Sequence, residues 1–329
     1  MADPDLEKDC RGPCDARVSL VICTLDRPAC LRRCLEGLSL QTLRPQEIII
    51  VCGSSTSMPP DPPDPPDAPD PAPAVRVVDA VGRNISVSRN AGVRAARGEL
   101  IALIDDDAVP DRDWLKHLVV PFSDARVAGV GGVVYDSRVD PPRLDFAGGL
   151  VNICGSQVRV RKRAAKRLDP PRGWYNNVCG CSCTFRRSAL LQIGGFDESM
   201  EFGFEETDVC LRLVRAGFRI AHAADAVVYH GYTPGGHRED DLLARNWYAE
   251  IKNQLYCGLQ NGRGVVPRAR VVTRVVARVC KLNLRFALAS GASRISARQA
   301  REYRQATLRG LRTGIVAGLG ERSLPFGEQ

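Results

Sequence analysis

Three short apolar runs limit this chain to few architectures: VSLVIC (18–23), IIIVC within QEIIIVCGSS (46–55), and LIALI (100–104). Each is too short for a helix and shows no strict alternation. That is the pattern of a strand buried on both faces, found in parallel sheets covered by helices. Between the first two, ACLRRCLEGLSLQ carries Leu31, Leu35 and Leu38 at helical spacing. Strand, helix, strand over this distance implies a right-handed crossover. The expected fold class is therefore α/β, a mixed and mostly parallel sheet flanked by helices.

The rest of the chain extends the pattern. VRVVDA reads as a third strand, Ser88–Arg97 as a helix, and VAGVGGVVYD (127–136) as another strand. Residues 137–173, with the basic run RVRKRAAKR, read as irregular. VCGCSCTFRRSALLQIGGFDE (178–198) reads as strand, helix and glycine turn. EETDVCLRLVRAGF is an amphipathic helix, and IAHAADAVVYH closes the sheet. From Met58 to Pro73, nine of sixteen residues are proline. Proline fixes φ and lacks a donor, so 58–73 is expected to be a disordered Pro/Asp-rich surface insertion. The domain reading is a flexible N-terminus over 1–17, a catalytic domain over 18–260 and a basic helical extension over 261–329.

Charge divides along the same boundary. From Asn261 onward fourteen Lys/Arg face three Glu, more than the whole chain's net charge of +8, so the body upstream is mildly acidic. In PRARVVTRVVARVCKLNLRFALAS, one helical stripe holds Arg270, Arg274, Arg278, Lys281 and Arg285. A neighbouring stripe holds Val271, Val275, Val279, Leu282 and Phe286. Packing on the catalytic domain with a solvated basic face is one reading, and docking on an anionic membrane surface is the other. No nucleic-acid-binding motif accompanies the charge, so no nucleic-acid partner is expected. No signal-peptide pattern and no run of about 18 apolar residues is seen. The thirteen cysteines then read as reduced thiols and the expected location as cytoplasmic, with peripheral contact at the inner membrane face as an option. Cys179, Cys181 and Cys183 along one strand would share a face. Without a second cluster at ligand spacing they do not read as a zinc site.

Three segments carry the chemistry. Asp105, Asp106 and Asp107 follow LIALI directly, at the strand end where open α/β sheets place ligands and where a cation would offset their repulsion. The alternative is a solvated acidic turn leading into a helix at Asp111–Trp114. Glu205, Glu206 and Asp208 occupy the first turn of a helix, where the helix dipole alone would stabilise carboxylates. His230 ends the last strand before a glycine-rich loop, where a structural histidine is the other reading.

In order and spacing, VSLVICTLDRPACLRRCLEGLSLQT, RNISVSRNAGVRAARGELIALIDDDAVPDRDWL, CTFRRSALLQIGGFDESM and FEETDVCLRL resemble the family 2 inverting glycosyltransferases of the GT-A fold. The resemblance spans roughly Val18 to Leu255. It implies transfer of a sugar from a nucleotide-diphosphate donor to a hydroxyl or other nucleophile, with Mg²⁺ or Mn²⁺ as cofactor. It assigns Asp107 and His230 to the metal, Asp105 to the ribose, and Thr24, Asp26 and Arg89 to the nucleotide side. Asp106, the variable middle position, would point away. Glu206 takes the place of the base, with Glu205 its close rival. Asn90 would shape a turn, Gly92 would allow close backbone approach and Gly98 would mark a helix end. GWYNNVCGCSCTFRR (173–187) corresponds to the region cradling sugar and acceptor. Trp174, Gly180 and Asp208 are candidates there, and Trp174 and Tyr175 would either stack on a ligand or pack in the core.

One departure concerns the donor. Relatives usually carry Asp-Asp-Gly-Ser after the second strand, whereas this chain has Cys52, Gly53, Ser54 and Ser55. A neutral thiol is a weak hydrogen-bond partner, so a uridine donor is not assumed, and thymidine and guanosine stay open. The acceptor, whether glycan, lipid-linked or small molecule, is not named by the sequence. A catalytically weak GT-A-like sugar-nucleotide-binding or scaffold protein is the rival reading. A related nucleotidyltransferase is a second, but CTLDRP offers it neither a glycine-rich phosphate loop nor a lysine.

Overall fold

The apolar runs form β1 (Val18–Thr24), β2 (Glu47–Cys52) and β4 (Leu100–Asp105), joined by β3 (Ala74–Asp79) in a parallel block ordered β3-β2-β1-β4. This computed structural model describes residues 17–53, 73–80, 82, 84–160, 170–233, 246–262 and 264–326. The Pro/Asp-rich insertion expected over 58–73 lies outside them except for Pro73, as does the N-terminus apart from Arg17. Strand order reverses between β1 and β4, and that switch point opens a crevice at the strands' carboxyl ends.

Alternation along each strand feeds two covering layers. Leu20, Ile22, Ala102 and Ile104 pack beneath α1 (Pro28–Ser39) and α3 (Trp114–Val119). Val21, Ile101 and Leu103 pack beneath α2 (Ile85–Ala95), α4 (Arg187–Gln192) and α5 (Glu205–Arg215). Helix α2 starts earlier than expected because Asn84 caps it, its side chain accepting from Ser86 N at 2.9 Å and Val87 N at 3.3 Å. The helix is over by Ala95, so Gly98 is not its end. Gly98 is needed because a Cβ there would lie 2.5 Å from Ser19 N.

Beyond β4 the sheet becomes mixed. β11 (Ser182–Arg186) runs antiparallel between β4 and β6 (Val127–Asp136), and β12 (Arg219–His230) pairs parallel with β6. A strand that the sequence did not announce, β5 (Ala108–Pro110), closes the edge by pairing with β12, Ala108 opposite His230. The region 137–173, expected to be irregular, holds three short strands, with a fourth just past its end. β7 (Arg143–Phe146) pairs with β6, while β8 (Gly148–Asn152), β9 (Gln157–Val160) and β10 (Trp174–Asn177) make a second sheet. These strands are short and partly exposed, so no apolar alternation marked them. The β8–β9 turn is set by Asn152, whose side chain accepts from Cys154 N and Ser156 N, with Gly155 at φ +70°.

The cysteine triad does not share one face. Ser182 N donates to Cys179 O in a turn ahead of β11, so strand alternation begins only at Ser182. Cys181 packs into the α1/α3 layer and Cys183 into the opposite one.

The C-terminal segment is helical as expected: α7 (Val265–Gly291) and α8 (Ala297–Leu319). Val271, Val275, Val279, Leu282 and Phe286 are buried against Trp247, Ile251, Leu255 and Leu259 of α6 (Trp247–Asn261). The other face of α6 joins the body that carries the main sheet, where Tyr256 and Cys257 pack with Met200 and Leu211.

Gly92 lets α2 lie directly on β1. A Cβ there would fall 2.4 Å from Val21 Cγ1. Gly92→Ala is expected to destabilise the fold by about 1–3 kcal/mol, read as a lowered urea midpoint with an unchanged slope.

Candidate active site

The ends of β1, β4 and β12 and the first turn of α5 meet in the crevice at the switch point. Asp105 closes β4 opposite Cys23 of β1 and stays partly exposed. Asp106 turns away from its neighbours, as expected, and is fully buried. Thr24 Oγ1 donates to its Oδ2 at 2.7 Å, and Arg27 Nη2 meets its Oδ1 at 2.6 Å. Burial pushes the Asp106 carboxyl up to about 6 against the pull of Arg27 and Thr24. Thr24 and Asp106 thus tie the end of β1 to the end of β4. Asp26 holds the turn between β1 and α1 at φ +54°, a left-handed conformation aspartate tolerates.

Asp107 and His230 come together because β5 pairs with β12. Gly231 N donates to the Asp107 carbonyl at 2.8 Å. His230 Nε2 then lies 2.9 Å from Asp107 Oδ1 and 3.6 Å from Asp105 Oδ2, while Asp107 Oδ2 accepts from Thr233 N at 2.8 Å. One imidazole nitrogen therefore faces two carboxylates. Arg27 Nη1 stands 3.5 Å from Asp107 Oδ2, and a cation fits this donor set, since oxygen and imidazole donors suit divalent first-row ions.

The acid pair on α5 is held by Arg89, which is 4% exposed. Arg89 Nη1 donates to Glu206 Oε1 at 2.8 Å and to Glu205 Oε1 at 3.1 Å, and its Nη2 lies 3.9 Å from Asp105. Burial first, and then the neighbouring Glu206, raises the Glu205 carboxyl well above the usual range. Glu206 is the more open of the two. The environments separate a buried carboxyl whose pKa is raised from one that faces the crevice. Gly180 seals this corner: a Cβ there would sit 1.7 Å from Glu206 Oε1 and 2.3 Å from Arg89 Nη2. Asn90 shapes the turn beneath, accepting from Phe196 N and donating to Phe196 O.

Two candidates are placed elsewhere. Asp208 is buried and turned from the crevice, bound by Arg212 Nε, Arg322 Nη2 and Asn261 Nδ2, each at 2.7 Å. Glu205 and Asp208 stand three residues apart on neighbouring sides of α5 yet find different partners, which first-turn position alone does not reveal. Trp174 opens β10 in the second sheet rather than at the aspartate-bearing strand ends. Of the departure after β2, Cys52 is buried and Gly53 N donates to Thr24 O, while Ser54 and Ser55 lie outside the described residues. Sequence reasoning missed Arg27, the partner of Asp106; its only local signal was its place just before the proline that starts α1.

A model of the family described as "Glycosyltransferase like family 2" matches residues 16–248. Among curated proteins, the chain is 31% identical over 148 residues to a pre-mycofactocin glycosyltransferase of Mycobacterium tuberculosis, covering 45% of this chain but only 30% of that one. It is 27% identical over 237 residues to the glucosyl-dolichyl phosphate glucuronosyltransferase of Haloferax volcanii, covering 65% and 69% of the two chains. Among solved structures, a mannosyltransferase from Pyrobaculum calidifontis in complex with GDP-Man and Mn²⁺ superposes with a TM-score of 0.50 at 18% identity, covering 95% and 91%. TarS 1–349 of S. aureus in complex with UDP-GlcNAc superposes with a TM-score of 0.54 at 12% identity, covering 90% and 81%. These likenesses establish the GT-A fold.

Arg89 counters both glutamates, so its removal is expected to be costly in a pH-dependent way. Arg89→Met should lower stability by about 3 kcal/mol at neutral pH and above. Without the guanidinium, the Glu205 carboxyl, already raised by burial, rises further above its unfolded value. The loss should then shrink below the unfolded glutamate pKa and grow as pH rises from it towards the folded value. Urea titrations from about pH 4, near the glutamate reference value, to about pH 9 would show no such slope if Arg89 were a bystander.

Proposed function

The chain belongs to glycosyltransferase-like family 2, and from that premise we propose that it transfers a glycosyl group from a nucleotide-diphosphate donor to a hydroxyl or other nucleophile of an acceptor, with inversion at the anomeric carbon. The observation that carries the reading is the Arg89–Glu205–Glu206 cluster standing beside Asp105, Asp107 and His230 in one crevice.

In this reading Thr24, Asp26 and Asp105 border the nucleoside side. Asp107 and His230, with Asp105 beside them, hold Mg²⁺ or Mn²⁺. When bound, that ion neutralises the diphosphate as it leaves. Glu206 accepts the proton of the acceptor hydroxyl as the new bond to the anomeric carbon forms and the bond to the diphosphate oxygen breaks. Arg89 pairs with the Glu206 carboxylate and aims it. Glu205, whose carboxyl burial drives towards its protonated form, eases the repulsion on Glu206. The buried floor of Gly180, Arg89 and Glu205 keeps water from the base. A conserved geometry without turnover would instead support the sugar-nucleotide-binding or scaffold reading.

The same reading extends to the acceptor side. No helix among the described residues is long and apolar enough to cross a membrane. Opposite its buried stripe, α7 exposes Val266, Leu284 and Leu288, flanked by exposed Arg270, Arg274, Lys281 and Arg285. Arg278 of the basic stripe is tied to Glu250 and Gln254 of α6. An amphipathic basic face of this kind fits an anionic lipid surface, which would bring the site to a lipid-linked acceptor.

Glu206→Gln is expected to lower turnover by roughly 10²–10⁴-fold while calorimetric binding of nucleoside diphosphates with Mn²⁺ stays unchanged. If Glu205→Gln alone is inactive, the two roles are reversed. Asp107→Ala should weaken the Mn²⁺-supported binding, and unchanged affinity would reject its ligand role. For the lipid surface, Lys281→Glu with Arg285→Glu should reduce co-sedimentation with phosphatidylglycerol vesicles by roughly 30-fold or more, at about 1 kcal/mol per basic residue. Equal binding by the parent chain to neutral and anionic vesicles would reject the contact.

A further inference from the structure

The crevice contains one donor that the reading above does not use. Cys181 sits in the turn between Val178 and Ser182, beside Gly180, and is 2% exposed. A carboxylate oxygen of Asp105, a ring nitrogen of His230 and the sulfur of Cys181 lie within 4.8 Å of one another. Cys179 Sγ stands 3.6 Å from Cys181 Sγ, so the turn presents sulfur to the cluster from one side while β4 and β12 present oxygen and nitrogen. The turn sets this aim, because Cys181 precedes the regular alternation of β11.

We propose that Cys181 joins Asp105 and His230 as a ligand of the divalent ion assigned above to the Asp107–His230 corner, and that the site therefore prefers thiophilic ions such as Zn²⁺ and Co²⁺ to Mg²⁺. The inference rests on the reading that a cation occupies the ends of β4 and β12. Magnesium demands hard oxygen donors in near-octahedral order, whereas a thiolate selects borderline and soft ions. Three donors converging from three chain segments leave further positions for water or a diphosphate oxygen, as an open site requires. The thiol proton leaves to solvent as the ion binds. The sulfur thus sets which metal the crevice accepts.

Cobalt(II) chloride, titrated into the reduced full-length chain, separates this inference from the reading beneath it. Visible d–d bands report a bound cobalt ion, and a near-ultraviolet sulfur-to-cobalt charge-transfer band reports a thiolate ligand. Both are expected, both should vanish on Zn²⁺ addition, and both should persist in a large excess of Mg²⁺. Cys181→Ser and Cys181→Ala should keep the d–d bands and lose the charge-transfer band. In each the preference for Zn²⁺ over Mg²⁺ should fall by roughly tenfold or more. His230→Gln should lose both signatures, which ties the ion to this cluster among the chain's thirteen cysteines. Visible bands without the charge-transfer band would overturn the thiolate ligand and leave the metal site standing. A charge-transfer band that survives in both Cys181 variants would overturn it equally. No cobalt bands at all would overturn the metal site and the inference together.

Discussion

Five carboxylates, three from the end of β4 and two from the first turn of α5, are forced into one crevice, and their mutual repulsion is the constraint around which the rest is arranged. Each is answered in a different way. Asp106 is buried against Arg27 and Thr24. Glu205 and Glu206 share Arg89, which also leans towards Asp105. Asp107 meets His230 and the backbone of Thr233. Buried charge of one sign survives only with such partners, because the desolvation cost of an unpaired ion exceeds any packing gain there.

The partners are supplied by topology rather than by neighbours in sequence. Strand order 3-2-1-4 opens the crevice, α2 delivers Arg89 from one layer, and the β1–α1 connection delivers Arg27 from the other. Helix α5 must hold two acids at its start without drifting. Its opposite side is pinned by Asp208, which binds Arg212 within the helix, Asn261 from α6 and Arg322 from the segment after α8. Arg322 also reaches Asp197, and Phe326 packs where a side chain on Gly195 would stand. The C-terminal segment thus braces the helix that carries the acid pair, although the sequence sets it more than a hundred residues away.

What the sequence made legible follows from how local each signal is. Runs such as IIIVC and LIALI declare buried strands by themselves, so the parallel core and the aspartates at its edge could be read directly. The first-turn acids of α5 and the strand-end His230 were visible for the same reason. β5 was not, since Ala-Val-Pro after three aspartates looks like a turn until β12 pairs with it. The Arg27–Asp106 pair spans 79 residues and has no local pattern. Asp208 was misplaced because its position on the helix was clear but its direction depends on Arg322. Cys179, Cys181 and Cys183 were set on one face by counting in twos, and the turn at Ser182 broke that count.

The charge left over says how a diphosphate can enter. Burial and the neighbouring Glu206 favour the protonated form of Glu205, and the other four carboxylates still outnumber the two arginines that reach them, Arg27 and Arg89. At separations of a few ångströms and partial burial, each uncompensated charge repels an approaching anion by about 1–4 kcal/mol. A bare nucleoside diphosphate therefore meets an unfavourable field at the place where its phosphates must lie. Asp105 and Asp107 share one imidazole nitrogen of His230, and their guanidinium neighbours stand further off, Arg89 Nη2 at 3.9 Å from Asp105 and Arg27 Nη1 at 3.5 Å from Asp107. An arginine in place of that histidine would add a single positive charge and fill the space, whereas a small divalent ion would add two and leave open positions for phosphate oxygens. An imidazole at this position offers a ligand nitrogen and leaves room for the ion that offsets the excess of carboxylates.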